Sequence, residues 1–268
     1  MVNVGRWEKD GYRLTIAVDE SPENPRNWSN IGTMVCSHRR YSLGDEVADK
    51  GGLYTSWYEQ LEEEILKPNG GAENVVYLPM YMIDHSGIAI SDTPYSCPWD
   101  SGQIGWIYAT KDKFRKETGY SEKELFGKDS RGVPEIGEHI QIKSFGERWG
   151  RVFDVREDGQ FSVDFDYNKI EAYREEQNKV VVPLEEVTKI MRNKAEEILR
   201  QEIRIYSHYV EGDVYGYVID RRVECPCCGT VEYEHVDSCW GFYGSDWKKN
   251  GLLDEIPSEF GFLAELVE

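Results

Sequence analysis

Along Tyr12 to Val18 (YRLTIAV) polar and apolar residues alternate, the period of a half-buried strand, and SPENPRNW (Ser21 to Trp28) ends it with two prolines among turn residues. Gly32 to Cys36 predicts a second strand. In Ser56 to Leu66 (SWYEQLEEEIL) the period changes: Trp57, Leu61 and Ile65 fall at helical spacing with acids on the other face, and Pro68 to Gly71 stop the helix. Asn74 to Ile83 (NVVYLPMYMI) is apolar almost throughout, a buried strand in which Pro79 demands an edge or a bulge. Gly87 to Ile90 and Gly105 to Ala109 predict further strands, and Lys111 to Thr118 (KDKFRKET) predicts a helix ended by Gly119.

From Gly132 onward the runs shorten. His139 to Lys143, Gly150 to Val155 and Phe161 to Phe165 alternate like short strands, with a turn at Asp158-Gly159. Strands of this length joined by tight turns build a small barrel, and their order resembles SH3-like barrels of the Tudor and KOW type. Val187 to Glu202 (VTKIMRNKAEEILRQE) sets Ile190, Ala195, Ile198 and Leu199 on one helix face. Gly212 to Ile219 (GDVYGYVI) is a strand that enters CPCCG and returns through VEYEHVDSCW, a hairpin closed by a cysteine-rich turn, and the segment after Pro257 is weakly helical. The expected fold class is α+β: a mixed or antiparallel sheet with a few helices over residues 1–130 and 185–268, interrupted by a small SH3-like β-barrel at 131–184.

Composition narrows the function. With 40% hydrophobic and 13% aromatic residues, a chain of 268 residues can bury a real core. No run approaches the roughly 18 apolar residues of a membrane span, and the start MVNVGRWEKDG lacks the basic and apolar regions of a signal peptide, so a cytoplasmic protein without a membrane partner is expected. The charge of −19, from 50 acidic against 31 basic residues, repels phosphates, and direct nucleic-acid binding is not expected. Such acidity serves solubility, or it competes for a basic, nucleic-acid-binding surface on a partner. The 131–184 segment holds 11 acidic and 8 basic residues, so the excess acid belongs to the rest of the chain.

Three constellations carry chemistry. Six cysteines in a reducing compartment are thiols or metal ligands rather than disulfides. Cys225 and Cys228, with Cys227 between them, have the spacing of a zinc knuckle, and His235 and Cys239 complete a candidate structural zinc site if the hairpin closes over its own turn; otherwise the turn holds plain thiols. Asp84, His85, Cys97 and Asp100 contain the residue types of a histidine-activated cysteine nucleophile, and Gly87, Gly102 and Gly105 would let a backbone approach a ligand; no cysteine-hydrolase signature surrounds Cys97, and a core cysteine between Tyr95 and Trp99 is the plainer reading. His38, Arg39 and Arg40 form a basic cluster that can hold a phosphate or pair with Asp45 and Glu46. Glu62, Glu63 and Glu64, with Trp240, Phe242, Tyr243 and Trp247 in a glycine-rich stretch, are the candidate partner-binding residues.

Four ordered blocks, NIGTMVCSHRRYSLGD, YMIDHSGIAISDTPYSCPWDSGQIGWIYATKDKFRKETG, GDVYGYVI and VDSCWGFYGSDW, resemble an uncharacterised family of acidic proteins carried by phages and conjugative elements of Gram-positive bacteria. Shorter members of that family run from the helix after the second block almost directly to GDVYG, which implies that 131–184 is an inserted domain. Genes of this kind sit among accessory genes that counter host defence. The resemblance therefore implies an anti-CRISPR or antirestriction protein, a non-enzymatic nucleic-acid mimic whose partner is a host defence nuclease or ribonucleoprotein complex. The alternatives are a cysteine-dependent enzyme using Cys97 and His85, and a zinc-stabilised accessory protein whose barrel binds peptide or nucleic acid.

Overall fold

The computed structural model describes residues 2–47, 56–97, 99–127, 132–146, 148–164, 179–191 and 193–267. In chain order the strands and helices are β1 (Asn3–Lys9), β2 (Tyr12–Val18), β3 (Thr33–Cys36), β4 (Glu46–Val47), α1 (Trp57–Gln60), β5 (Val75–Asp84), β6 (Ile88–Ser91), β7 (Ser101–Thr110), α2 (Lys111–Glu117) and α3 (Glu122–Phe126). There follow β8 (His139–Ile142), β9 (Arg148–Val155), β10 (Phe161–Asp164), β11 (Lys179–Val182), β12 (Val187–Met191), α4 (Lys194–Glu211), β13 (Val214–Glu224), β14 (Val231–Tyr243) and α5 (Gly261–Ala264). The class is α+β, with largely antiparallel sheets and few helices. The chain divides into two compact units, Met1–Trp28 with Ile205–Glu268, and Ser29–Arg204.

The first unit is built on an antiparallel sheet in the order β1-β2-β13-β14. Alternation sends Leu14 and Ile16 of β2 and Tyr215, Tyr217 and Ile219 of β13 to one face, where Leu252, Ile256, Phe260, Leu263 and Val267 of the C-terminal segment cover them. Each fully buried side chain of this size contributes about 1.5–3 kcal/mol, so this layer is what makes the C-terminal turns part of the fold. Strand β1 has no counterpart in the sequence reading, because of NVGRWEK only Trp7 packs against that core. β13 pairs with β2 only from Tyr215 to Arg221 but with β14 as far as Glu224 opposite Val231, so the last rungs form a two-stranded ribbon.

The second unit holds two five-stranded sheets. One has the order β4-β3-β7-β5-β6, antiparallel except for the short β3–β4 pair. Helix α1 continues as a π-helical stretch over Leu61–Leu66 and packs Leu61, Ile65 and Leu66 against Val35, Val75 and Trp106, the face that the sequence period predicts. Pro79 sits in β5 where only β7 lies alongside, since β6 pairs no further than Tyr81, and the register shifts immediately after it at Met80/Tyr81. Both expectations for that proline are met: its missing N–H falls on an open side, next to a bulge. A β-carbon on Gly105 would lie 2.0 Å from the Val35 carbonyl oxygen, so the approach this glycine permits is that of β3, not of a ligand.

The other sheet has the order β11-β10-β9-β8-β12 and is antiparallel throughout. Four strands form a meander, a 3-10 turn at Leu184–Glu186 follows, and β12 returns beside the first, a curled half-barrel consistent with an SH3-like barrel. Ile140, Ile142, Val152, Phe161, Val163, Val182 and Ile190 make its core. Phe165 and residues 166–178 lie outside the described residues. The helix expected over Val187 to Glu202 is corrected: Val187–Met191 is a strand and the helix begins at Lys194. Ile190 faces the barrel core, and Asn193 accepts the Glu196 N–H at 2.8 Å, starting the helix seven residues later than the apolar spacing alone implied.

Candidate functional site

The first candidate lies at one end of the β3-β7-β5 sheet. β5 ends at Asp84 and turns through His85, Ser86 and Gly87 into β6, with Ser86 in the left-handed region at φ +61° and the His85 N–H donating to Gly87 O at 3.0 Å. Asp84 N–H donates to Asp100 O at 2.8 Å, which fastens this turn to the segment entering β7. Asp100 Oδ2 then receives two side chains, His85 Nδ1 at 3.0 Å and the Cys97 thiol at 3.6 Å. Arg40 pairs with Asp84, and the salt bridge to Asp45 or Glu46 gives way to it; Asp45 Oδ2 instead accepts the Met34 N–H at 2.8 Å. His38 stacks on Tyr41 with ring centroids 5.1 Å apart, and its Nδ1 accepts the N–H groups of Arg40 and Tyr41, each at 3.3 Å. Burial and the neighbouring Arg40 hold this imidazole below its ordinary pKa, as a neutral ring.

The fold thus collects Asp84, His85, Cys97 and Asp100, but it wires them differently from a nucleophile. A histidine that activates a cysteine must stand on the sulfur to take its proton. Here imidazole and thiol are both given to the same carboxylate oxygen. Trp99 beside them is 91% exposed, so the plain reading of Cys97 as a cysteine held in an aromatic core is also corrected. Pro98 lies outside the described residues.

The second candidate is the turn joining β13 to β14. Cys225 N–H donates to Thr230 O at 2.8 Å and Gly229 N–H to Cys225 O at 2.9 Å, folding Pro226 to Gly229 into a tight loop. The ligand atoms of Cys225, Cys227 and Cys228 lie within 4.8 Å of one another, with Cys225 and Cys227 sulfurs 2.9 Å apart, and this cluster could hold a metal ion. Hydrogen bonds from the Cys227 thiol and then from the Cys227 and Cys228 backbone N–H groups bring the Cys225 thiol down to about 6. The other two expected ligands are elsewhere: the strand register sets His235 opposite Asp220 and Cys239 opposite Tyr217, several rungs from the turn, and Cys239 packs against the core of its unit. A β-hairpin rises about 3.3 Å per residue, so neither side chain reaches the turn.

A third assembly has no counterpart in the sequence reading. Asp92 Oδ2 accepts Arg151 Nη2 at 2.6 Å and Arg200 Nε at 3.1 Å, while both guanidinium groups also donate to the Gly137 carbonyl, Arg151 at 3.2 Å and Arg200 at 2.7 Å. Arg200 reaches Glu196 at 3.0 Å, Asn193 donates to Glu196 at 3.2 Å, and His139 lies 3.8 Å from Glu196. Burial alone would push the Glu196 carboxyl up, yet His139, Arg200 and Asn193 outweigh it and hold it at about 2. Burial drives His139 itself the other way, below its ordinary value, so at neutral pH Arg200 and Asn193 are the partners that keep Glu196 ionised, and His139 adds its charge only when protonated at lower pH. This network joins the barrel strands β8 and β9 to α4 and to the segment after β6. Its chemistry is structural: the charges compensate one another.

The expected partner-binding residues divide. Glu63 is exposed and paired with Lys67, while Glu62 and Glu64 are half-buried and Glu64 accepts from Gln60 at 2.9 Å. Trp240 is exposed at 37%, but Phe242 packs on the core, Trp247 meets Trp7 and Tyr215 edge-on, and Tyr243 bonds the Glu23 carbonyl and packs against Trp28. Among the described residues no helix is long and apolar enough to cross a membrane. Compared with protein-family models, curated proteins and solved structures, the chain matches none.

Proposed function

We propose that this chain is a non-enzymatic binding protein of a mobile genetic element that occupies the cationic, nucleic-acid-binding surface of a host defence nuclease or ribonucleoprotein complex, such as a CRISPR effector or a restriction enzyme. The observation that carries this reading is where the acid lies. The unit made of Met1–Trp28 and Ile205–Glu268 has 18 acidic against 8 basic residues, a net of −10 out of −19 for the whole chain, in about a third of its length. A concentrated acidic body raises the association rate with a basic groove and is repelled by nucleic acid itself. Exposed Glu232 and Glu234, the latter paired with Arg221, lie towards the turn end of β14 and exposed Trp240 lies further along the same strand, while Glu63 is exposed on the other unit. The order of the DHSG, SCPWDSGQIG and DSCWGFYG blocks supports the mobile-element origin.

A pull-down with the full chain from a host carrying CRISPR or restriction systems tests this. A nuclease or effector recovered with wild type and lost on Glu232→Lys with Glu234→Lys supports the reading, and recovery of neither overturns it. Zinc is the ion we propose for the cysteine turn. The enzymatic alternative draws on the convergence of His85, Cys97 and Asp100; retained function in Cys97→Ala removes it.

A further inference from the structure

The ligand count at the hairpin end leads beyond a structural ion. A structural zinc is closed by four protein ligands in a tetrahedron, whereas a site with three keeps a position for something else. Among the described residues, Cys225, Cys227 and Cys228 are the group of metal-type ligands found within one ion's reach, and they all come from one six-residue turn. The turn is already closed around these sulfurs: Cys225 and Cys227 sulfurs lie 2.9 Å apart, Gly229 N–H donates to Cys225 O at 2.9 Å, and Gly229 takes the left-handed φ of +71°. Zinc–sulfur bonds of about 2.3 Å place tetrahedral ligands about 3.8 Å apart, a spacing that small rotations of these three side chains reach. Cys227 and Cys228 are exposed and Cys225 is half-buried, and among the described residues no other strand flanks the ribbon beyond Arg221, so the site faces outward on the side of Cys227 and Cys228. The ion would also add little closure, because the backbone bonds of the turn already close it.

Deepening the zinc reading given above, and resting on it, we propose that this turn is an open three-thiolate site for a thiophilic divalent ion, Zn²⁺, with Cys225, Cys227 and Cys228 as its protein ligands and the fourth ligand taken from outside the chain. A second copy is a poor source of that ligand, since two chains each carrying −19 repel one another. Water fills the position in the isolated protein, and a nitrogen or sulfur donor replaces it when offered.

Co²⁺ titration of the reduced full-length protein, followed by Zn²⁺ displacement, tests this. The expected result is one ion per chain on a monomer, with thiolate-to-cobalt absorption and three of the six thiols protected from alkylation. Cys225→Ser, Cys227→Ser and Cys228→Ser each abolish stoichiometric binding while the far-ultraviolet circular dichroism stays unchanged; His235→Ala and Cys239→Ser leave it intact. Added imidazole or mercaptoethanol shifts the cobalt bands. No binding by wild type overturns both this inference and the zinc reading. Binding that survives Cys227→Ser, that is lost in His235→Ala or Cys239→Ser, that gives one ion per two chains, or whose bands ignore added ligand overturns the open site alone.

Discussion

Two clusters in the second unit use almost the same side chains to opposite ends. Around Asp92, two arginines, two carboxylates and a histidine are packed where no side chain exceeds 17% exposure. Around Asp100, an arginine, two carboxylates, a histidine and a thiol gather where the exposures run from 20% for Asp84 to 72% for His85. In the first, removing one member leaves a charge in a poorly solvated place; in the second, water takes over. Residue type therefore does not separate a structural cluster from a candidate site here; burial and the wiring of the shared carboxylate do.

Asp92→Ala breaks that comparison most forcefully. It strips the acceptor shared by Arg151 and Arg200, and loss of one partner of a buried ion pair costs about 3–5 kcal/mol. Asp84→Ala, which strips Arg40 at the surface, costs under about 1 kcal/mol. Urea unfolding of both variants checks the pair of values, and near-equal losses would dissolve the distinction.

The acid limb of the stability profile comes next. Glu196 in the folded protein sits at about 2 against an ordinary 4.5, so its contribution is present above about 4.5 and lost as the pH falls towards 2. A depression of this size corresponds to up to about 3 kcal/mol. His139 acts with the same sign from higher pH: buried and neutral, it loses stability as the pH falls below 6.5, where the unfolded chain takes up its proton. Glu196→Gln flattens the limb between 4.5 and 2, measured as the urea midpoint against pH, and an unchanged slope there would show that the network does not hold this carboxylate ionised.

The asymmetry also explains what the sequence discloses. Asp84, His85, Cys97 and Asp100 crowd into seventeen positions, so their convergence was readable, as was the helix face of Leu61 and Ile65. The Asp92 network draws on residues 59 and 108 positions apart, and a lone aspartate in ISDT or an arginine in WGRV carries no local mark of its partner. Local signals did exist for two missed features: the Ser121-to-Glu124 capping box that starts α3, and Asn193 with Glu196 ahead of α4. The hairpin and its cysteine turn were legible, yet which candidate ligands the fold brings together was not. Spacing said that His235 and Cys239 share a face but could not say how many rungs separate them from the turn, and only the register, Asp220 with His235 and Tyr217 with Cys239, decides that.

The smallest effects sharpen the other side of the comparison. In His85→Ala, Asp100 keeps the Cys97 thiol and gains water in place of an imidazole that was already 72% exposed, so stability changes by less than about 0.5 kcal/mol. Cys97→Ala removes a thiol whose one side-chain partner is a carboxylate at 3.6 Å, and the change is of the same order. Both contacts meet at one Asp100 oxygen but are weak and solvent-exposed, so the coupling between them should be small; a double-variant cycle in urea returns a value below about 0.5 kcal/mol. A coupling well above that would mean that thiol and imidazole act on each other directly, which is the arrangement a cysteine nucleophile requires, and it would return this cluster from an arrangement around Asp100 to a candidate catalytic pair.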